Sequence, residues 1–285
     1  MTQRTGLAST IVSGVLFGTS VPVIKLGLGV IPPFLFATLR FLVASAVVVF
    51  VLGRRGWVKR ELYRSKLLWA IGVLNTVGYA MQFEGQFLTT SSDAALIIGS
   101  AALMIPVIAR LRGKEKLVWR RSLGVLLGFA GTSLVVAGRG LELGGGQVTG
   151  DFLILGTAVT IALIFVFSKD LVEVRGSPAV TGGLLITTAT LLLPFTTLDL
   201  GRPISLGPDA WFYVLFLAVF STVGSYYFFT KGLETISATV SSIILPIEVV
   251  VSVVLSVLIF RDSFSLLSGT GAALIIVGVA MVSLS

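Results

Sequence analysis

The chain has 285 residues, 55% of them hydrophobic and 12% charged, with a formal net charge of +8 and neither histidine nor cysteine. The missing histidine excludes imidazole proton relays, histidine metal ligands and Ser-His or Cys-His catalysis; the missing cysteine leaves the redox compartment undefined. No catalytic group, metal or cofactor is expected.

Apolar runs of about 20 residues, long enough to cross a bilayer core, recur from end to end. Ten spans are predicted, at 7–28, 31–52, 67–87, 91–110, 120–138, 151–170, 179–198, 211–231, 236–259 and 265–284. The connections between them are too short for a soluble domain with its own core. The predicted fold class is therefore an all-α integral membrane protein of ten transmembrane helices. With both termini cytoplasmic, the inner loops collect sixteen Lys and Arg, from Arg4 to Lys231, against Arg139, Arg202 and Arg261 outside. That asymmetry is the positive-inside pattern. The basic charge orients the chain and can attract anionic lipid headgroups; no aromatic-interleaved basic surface points to nucleic acid.

The first span starts at Leu7, is too long for a signal-peptide core and is expected to be retained. Thr10, Ser13, Phe17, Ser20 and Ile24 give it one mixed face, and Gly18 and Pro22 soften its middle. The second span holds Arg40, about nine residues or roughly 14 Å from its outer end. Its permanently charged guanidinium needs acceptors, either as a brace between helices or as a ligand for a solute carboxylate. In the third span Asn75, Tyr79, Gln82 and Gln86 are spaced by four, three and four, so they share an arc of about 60°. Such a stripe can line a solute pocket or hydrogen-bond neighbouring helices. Lys25, Glu84 and Asp93 gather towards the outer surface, where they snorkel, pair or form a gate. Gly124-xxx-Gly128 in the fifth span lets helices approach closely within the monomer.

The sixth span carries Thr157 and Ser168, and the eighth presents Thr222, Tyr226 and Phe229 on one face. In the ninth, Ser237, Ser241, Glu248 and Ser252 share a face. Glu248 lies about 12 residues from either end, roughly 18 Å deep. A carboxylate there costs about 2.5–3.5 kcal/mol on insertion scales unless it meets water, a cation or a proton. It is a candidate for binding a solute amine or for proton coupling, and otherwise a structural carboxylate. Pro246 removes a helix N–H and is expected to kink the span.

The chain repeats itself. At a shift of 147 residues Tyr79 falls on Tyr226, Gly85 on Gly232, Glu115 on Asp262, Gly124 on Gly271 and Gly131 on Gly278; at slightly different shifts Lys25 falls on Lys169 and Pro33 on Pro178. Five spans per half is an odd number, so the halves, residues 1–139 and 150–285, are expected to cross the membrane in opposite senses. An inverted 5+5 repeat of this kind places a solute site at the repeat interface near the midplane.

Gly14-Val15-Leu16-Phe17-Gly18-Thr19-Ser20, Leu39-Arg40-Phe41-Leu42-Val43-Ala44, Thr89-Thr90-Ser91-Ser92-Asp93-Ala94-Ala95 and Leu245-Pro246-Ile247-Glu248, in this order, resemble the drug/metabolite transporter superfamily, in particular its EamA-type exporters. Phe17 stands where many relatives have Trp, and Gly99-Ser100-Ala101 replaces a Pro-x-Glu counterpart in the fourth span. The resemblance implies two five-helix halves and export of amino acids or other small metabolites across the plasma membrane of a prokaryotic cell. The expected partners are that solute and membrane lipids, with the protein a monomer.

The expected cavity is lined by the third, eighth and ninth spans, with contributions from the first, second and sixth, and opens alternately to each side. For an amino acid, Glu248 would face the ammonium, Arg40 or the Asn75–Gln82 face the carboxylate, and Tyr79, Tyr226, Phe17 and Phe229 the side chain. A passive channel, a lipid scramblase and an intramembrane enzyme are the alternatives to a carrier.

Overall fold

The computed structural model describes residues 3–53, 57–113, 119–137, 146–242, 244–261 and 266–283, which are helical almost throughout and contain no strand. The first half comprises α1 (Gln3–Gly18), α2 (Ser20–Gly27), α3 (Pro33–Ala46), α4 (Lys66–Leu88), α5 (Ser91–Gly99), α6 (Ala101–Leu111) and α7 (Trp119–Ala137). The second comprises α8 (Gly146–Arg175), α9 (Ser177–Leu192), α10 (Pro208–Ala218), α11 (Ser225–Leu233), α12 (Ala238–Ser241), α13 (Ile244–Phe260) and α14 (Leu266–Ser283).

Local chemistry sets most of the helix starts. Pro33 and Pro208 open α3 and α10 in the first turn, where a missing N–H is harmless. Thr90 and Ser237 cap α5 and α12 by accepting from the N–H groups of Asp93 and Val240. Gly176, at φ +80, separates α8 from α9.

Three predicted spans are broken in the middle, and the breaks share a feature. Thr19 donates to the Leu16 carbonyl (2.8 Å), Ser100 to Ile97 (2.6 Å) and Ser242 to Thr239 (2.6 Å). A hydroxyl bonded to the carbonyl three residues back competes with the helix ladder, and each of these residues ends a helix. The expected kink at Pro246 is thereby corrected. Pro246 lies in the first turn of α13, where its lost N–H interrupts nothing, and the helix gives way earlier, at Ser242. Two π turns, Val47–Leu52 and Val219–Gly224, widen the ladder after α3 and between α10 and α11.

Six helical stretches are long and apolar enough to cross a membrane: Gln3–Gly27, Pro33–Phe50, Ser91–Leu111, Gly146–Arg175, Ser177–Asp199 and Pro208–Leu233. Ile247–Phe260 and Gly269–Gly278 are shorter apolar helices. The helix α4 is not among these, although it coincides with a predicted span, because the polar face from Asn75 to Gln86 dilutes its apolarity.

The principal helix pairs join one half to the other: α4 packs on α8 and α9, α1 on α11 and α13, α5 on α13, α3 on α9 and α7 on α14. Glycines set the closest approaches. A Cβ on Gly150 of α8 would stand 2.8 Å from the Gly85 carbonyl of α4, and one on Gly232 of α11 would stand 3.3 Å from the Gly6 carbonyl of α1. Gly85 and Gly232 are the residues that the 147-residue shift superposes.

Lysines repeat the same correspondence. Lys25 donates to the carbonyls of Gln86 and Thr89, both at 2.7 Å, at the C-terminal end of α4, and Lys169 donates to Leu233, at 2.7 Å, at the end of α11. A cation there meets both orphan carbonyls and the negative end of the helix dipole. Near Lys25, Arg202 grips Glu84 through two bonds (2.9 and 3.0 Å) and Asp199 through one (3.1 Å), and Asp199 accepts from the Leu35 N–H (2.7 Å). Glu84 holds the Arg202 guanidinium above its ordinary value. At the end of the bundle carrying the Lys/Arg-rich loops, Arg112 pairs with Asp170 at 2.8 Å. Glu115 and Asp262, matched in the repeat, lie outside the described residues.

Candidate functional site

The helices converge on a cavity enclosing about 600 Å³ of atom-free space, its mouth included. Six elements of both halves build it. From the first half, α1 and α2 give Phe17 and Ser20, and α4 gives Asn75, Gly78, Tyr79 and Gln82. From the second, α8 contributes Thr157, Thr160, Ile161, Ile164 and Phe165; α11 contributes Tyr226 and Phe229; and α13 contributes Leu245 and Glu248. The lining is mostly apolar with a few polar groups, as in ligand pockets generally.

The predicted α4 stripe lies in the wall for three of its four members. Asn75 is anchored twice, donating from Nδ2 to Thr188 Oγ1 (2.9 Å) and accepting at Oδ1 from the Tyr226 hydroxyl (2.6 Å). Tyr226 also stands 3.3 Å from the Tyr79 hydroxyl. These two tyrosines, superposed by the sequence repeat, thus meet across the cavity. Gln86 is fully buried elsewhere, and neither atom of its amide has a partner among the described residues. Opposite α4, Phe17 meets Tyr226 edge-on at 5.4 Å and Phe165 lies 4.3 Å from Phe229. Aromatic surface therefore faces the cavity from three helices.

Three predicted residues do not line it. Arg40 is wholly buried behind the wall, where Nε donates to Thr222 Oγ1 (2.5 Å), Nη1 to Ser20 Oγ (3.2 Å) and Nη2 to the Ser221 carbonyl (2.8 Å). Its guanidinium lies 5.1 Å from the centre of the Tyr79 ring and 5.7 Å from that of Phe41. Among the described residues no carboxylate pairs with it. Thr222 is occupied by this contact and by its own bond to Leu217 (2.8 Å), within the π turn. Ser241 is buried on α12, its hydroxyl without a partner among the described residues.

Glu248 is the one ionisable side chain of Asp, Glu, Lys or Arg type in the lining. Only 7% of the residue is exposed, and its carboxylate forms no hydrogen bond or ion pair among the described residues. Its helix is fixed around it: Ser252 donates to the Gly18 carbonyl (2.7 Å) and Ser256 to Ser91 (2.7 Å). A Cβ on Gly18 would stand 3.0 Å from the Glu248 main-chain carbonyl, so α1 and α13 approach main chain to main chain at this residue. Gln82, 7% exposed, likewise makes no side-chain hydrogen bond among the described residues.

The α8 wall was the least legible part of the site. Thr157 was recognised as polar, and a contribution from the sixth span was expected. Thr160, Ile161, Ile164 and Phe165 carry no stripe, because one hydroxyl stands among apolar residues; Thr157 donates across to the Gly78 carbonyl of α4 (3.1 Å) and Thr160 back to Thr157 (2.8 Å).

Known proteins place this architecture. A solved crystal structure at 21% identity superposes with a TM-score of 0.70, covering 97% of this chain and 96% of that one, so the fold is shared. Two Bacillus subtilis proteins named uncharacterized transporters, YyaM and YetK, are each 26% identical; the alignments cover 93% of this chain and 89% and 82% of theirs. An uncharacterized transporter of Archaeoglobus fulgidus is 23% identical over 93% of this chain and 94% of its own. These relatives are transporters rather than enzymes. Residues 4–137 and 148–284 each match the EamA-like transporter family, and with its membrane-crossing helices the chain belongs to that family as a multi-pass membrane protein.

Proposed function

We propose that the protein is a secondary transporter that carries a small amphipathic metabolite, an amino acid or a related compound, by alternating access around the central cavity, with export as its working direction. One observation carries this reading: helices of both halves together wall the cavity, with polar groups in its lining from each half. Two inverted units, residues 1–139 and 150–285, rocking about that cavity would expose it to each side in turn. The paired lysine caps and paired glycine approaches support the equivalence of the units. Ion pairs at both ends, Arg202–Glu84 and Arg112–Asp170, join first-half to second-half residues; these are contacts that such rocking would make and break. For an amino acid, Glu248 takes the ammonium and Gln82 is the free group nearest in kind to a carboxylate partner, since Arg40 is occupied.

The test is counterflow. Proteoliposomes preloaded with unlabelled amino acids and amines, assayed with labelled compounds at two pH values, should show saturable exchange for one compound class. A non-saturable leak from folded protein would replace the carrier with a channel or scramblase. A pH dependence that survives in Glu248→Gln would remove Glu248 as the site of proton coupling.

A further inference from the structure

We infer that the cavity selects organic monocations, an amine or ammonium group on an apolar body, over zwitterions and anions of the same size. The inference rests on the carrier reading and moves its substrate from the amino acids themselves to related compounds that carry the amine without the carboxylate. The charge available to a solute decides it. Arg40, the one cation buried in this part of the bundle, has its Nε and both terminal nitrogens bonded to Thr222, Ser20 and the Ser221 carbonyl, and it is screened by the Tyr79 ring. Among the described residues a solute carboxylate would find no cation in the lining, only neutral donors such as the Gln82 amide with the Arg40 charge engaged behind the wall, so its desolvation would be compensated less well than that of an ammonium.

A solute cation meets the opposite situation. Glu248 faces the cavity, and its carboxyl group has no hydrogen-bond or ion-pair partner among the described residues, so an incoming ammonium would find it unoccupied. Phe17, Tyr79, Phe165, Tyr226 and Phe229 surround the same space. Aromatic faces together with one carboxylate are the chemistry that recognises ammonium groups, and Ile161, Ile164 and Leu245 receive an apolar body. An amino acid adds to that cation a carboxylate that the cavity leaves without a counter-charge.

The experiment uses three probes with one phenyl body, 2-phenylethylamine, phenylalanine and 3-phenylpropionate, titrated calorimetrically into the full-length protein in detergent at neutral pH. The amine should bind at least about tenfold more tightly than either other probe, the equivalent of about 1.4 kcal/mol. Glu248→Gln should remove that preference, and Glu84→Gln, a carboxylate outside the cavity, should preserve it. Thermal melting of each variant establishes folding. Phenylalanine or phenylpropionate binding as tightly as the amine, no amine binding by folded wild type, or an unchanged preference in folded Glu248→Gln would each overturn the inference. The two readings fail separately: counterflow of a zwitterion without amine preference keeps the carrier and removes the cation, whereas amine preference without counterflow does the reverse.

Discussion

Arg40 and Glu248 are the two ionisable groups that the sequence buries deepest, and the bundle treats them in opposite ways. The guanidinium sits behind the cavity wall with acceptors from α2 and the π turn gathered round it, and with an aromatic ring at its face. The carboxylate sits in the wall, its helix clamped by Ser252 and Ser256 while its own oxygens have no protein partner among the described residues. A buried charge with its bonds complete is part of the scaffold; one left open is available to something that comes and goes. Depth in the membrane is the same signal for both, and only the partners tell them apart.

Three substitutions would break or sharpen this contrast. Arg40→Gln should have the largest effect on stability, because hydrogen bonds to a charged group contribute about 1.5–3 kcal/mol each and three are lost together. We expect a loss of several kcal/mol, seen as poor yield and early melting in detergent, and no rescue by Arg40→Lys, whose point charge cannot reproduce the planar fork. Tyr226→Phe should be intermediate. It removes the 2.6 Å bond to Asn75, costing about 1–2 kcal/mol, and it should also weaken solute binding several-fold because the hydroxyl lies in the cavity wall. Glu248→Gln should be the mildest for stability, within about 0.5 kcal/mol of wild type, since it preserves shape and breaks no bond within the protein. Equal melting losses in Arg40→Gln and Glu248→Gln would make both charges scaffold and abolish the distinction.

Much of this was legible in the order of residues. Spacings of four and three put Asn75, Tyr79 and Gln82 on one face, and the repeat placed Tyr226 opposite Tyr79, where it lies. The depth of Glu248 followed from counting residues. The partners of Arg40 could not be read in this way. They are two hydroxyls and a carbonyl beside a π turn, and nothing in Val219–Gly224 announces that the ladder widens there. The helix breaks were hidden for a related reason. Thr19, Ser100 and Ser242 resemble many other hydroxyl residues in these spans, and Thr160 bonds back to the Thr157 carbonyl inside unbroken α8, so nothing in the residue type marks where a helix ends. Counting apolar residues also hid a difference of degree, because it ranks α4 with the other spans although α4 gives up apolarity to supply the site.

The seam between α7 and α14 carries a consequence for how such a chain can change over generations. A Cβ on Gly131 would stand 2.5 Å from the Gly271 carbonyl, and one on Gly278 would stand 2.5 Å from the Gly124 carbonyl. Each half thus offers bare main chain to the other at matching places. Where side chains meet, a gain of volume on one face can be offset by a loss on its neighbour, and two duplicated halves can drift apart in compensated steps. Main chain has nothing to shed. Along this seam the descendants of one duplicated segment remain bound to the same residue, free to specialise around the cavity and held alike where they touch.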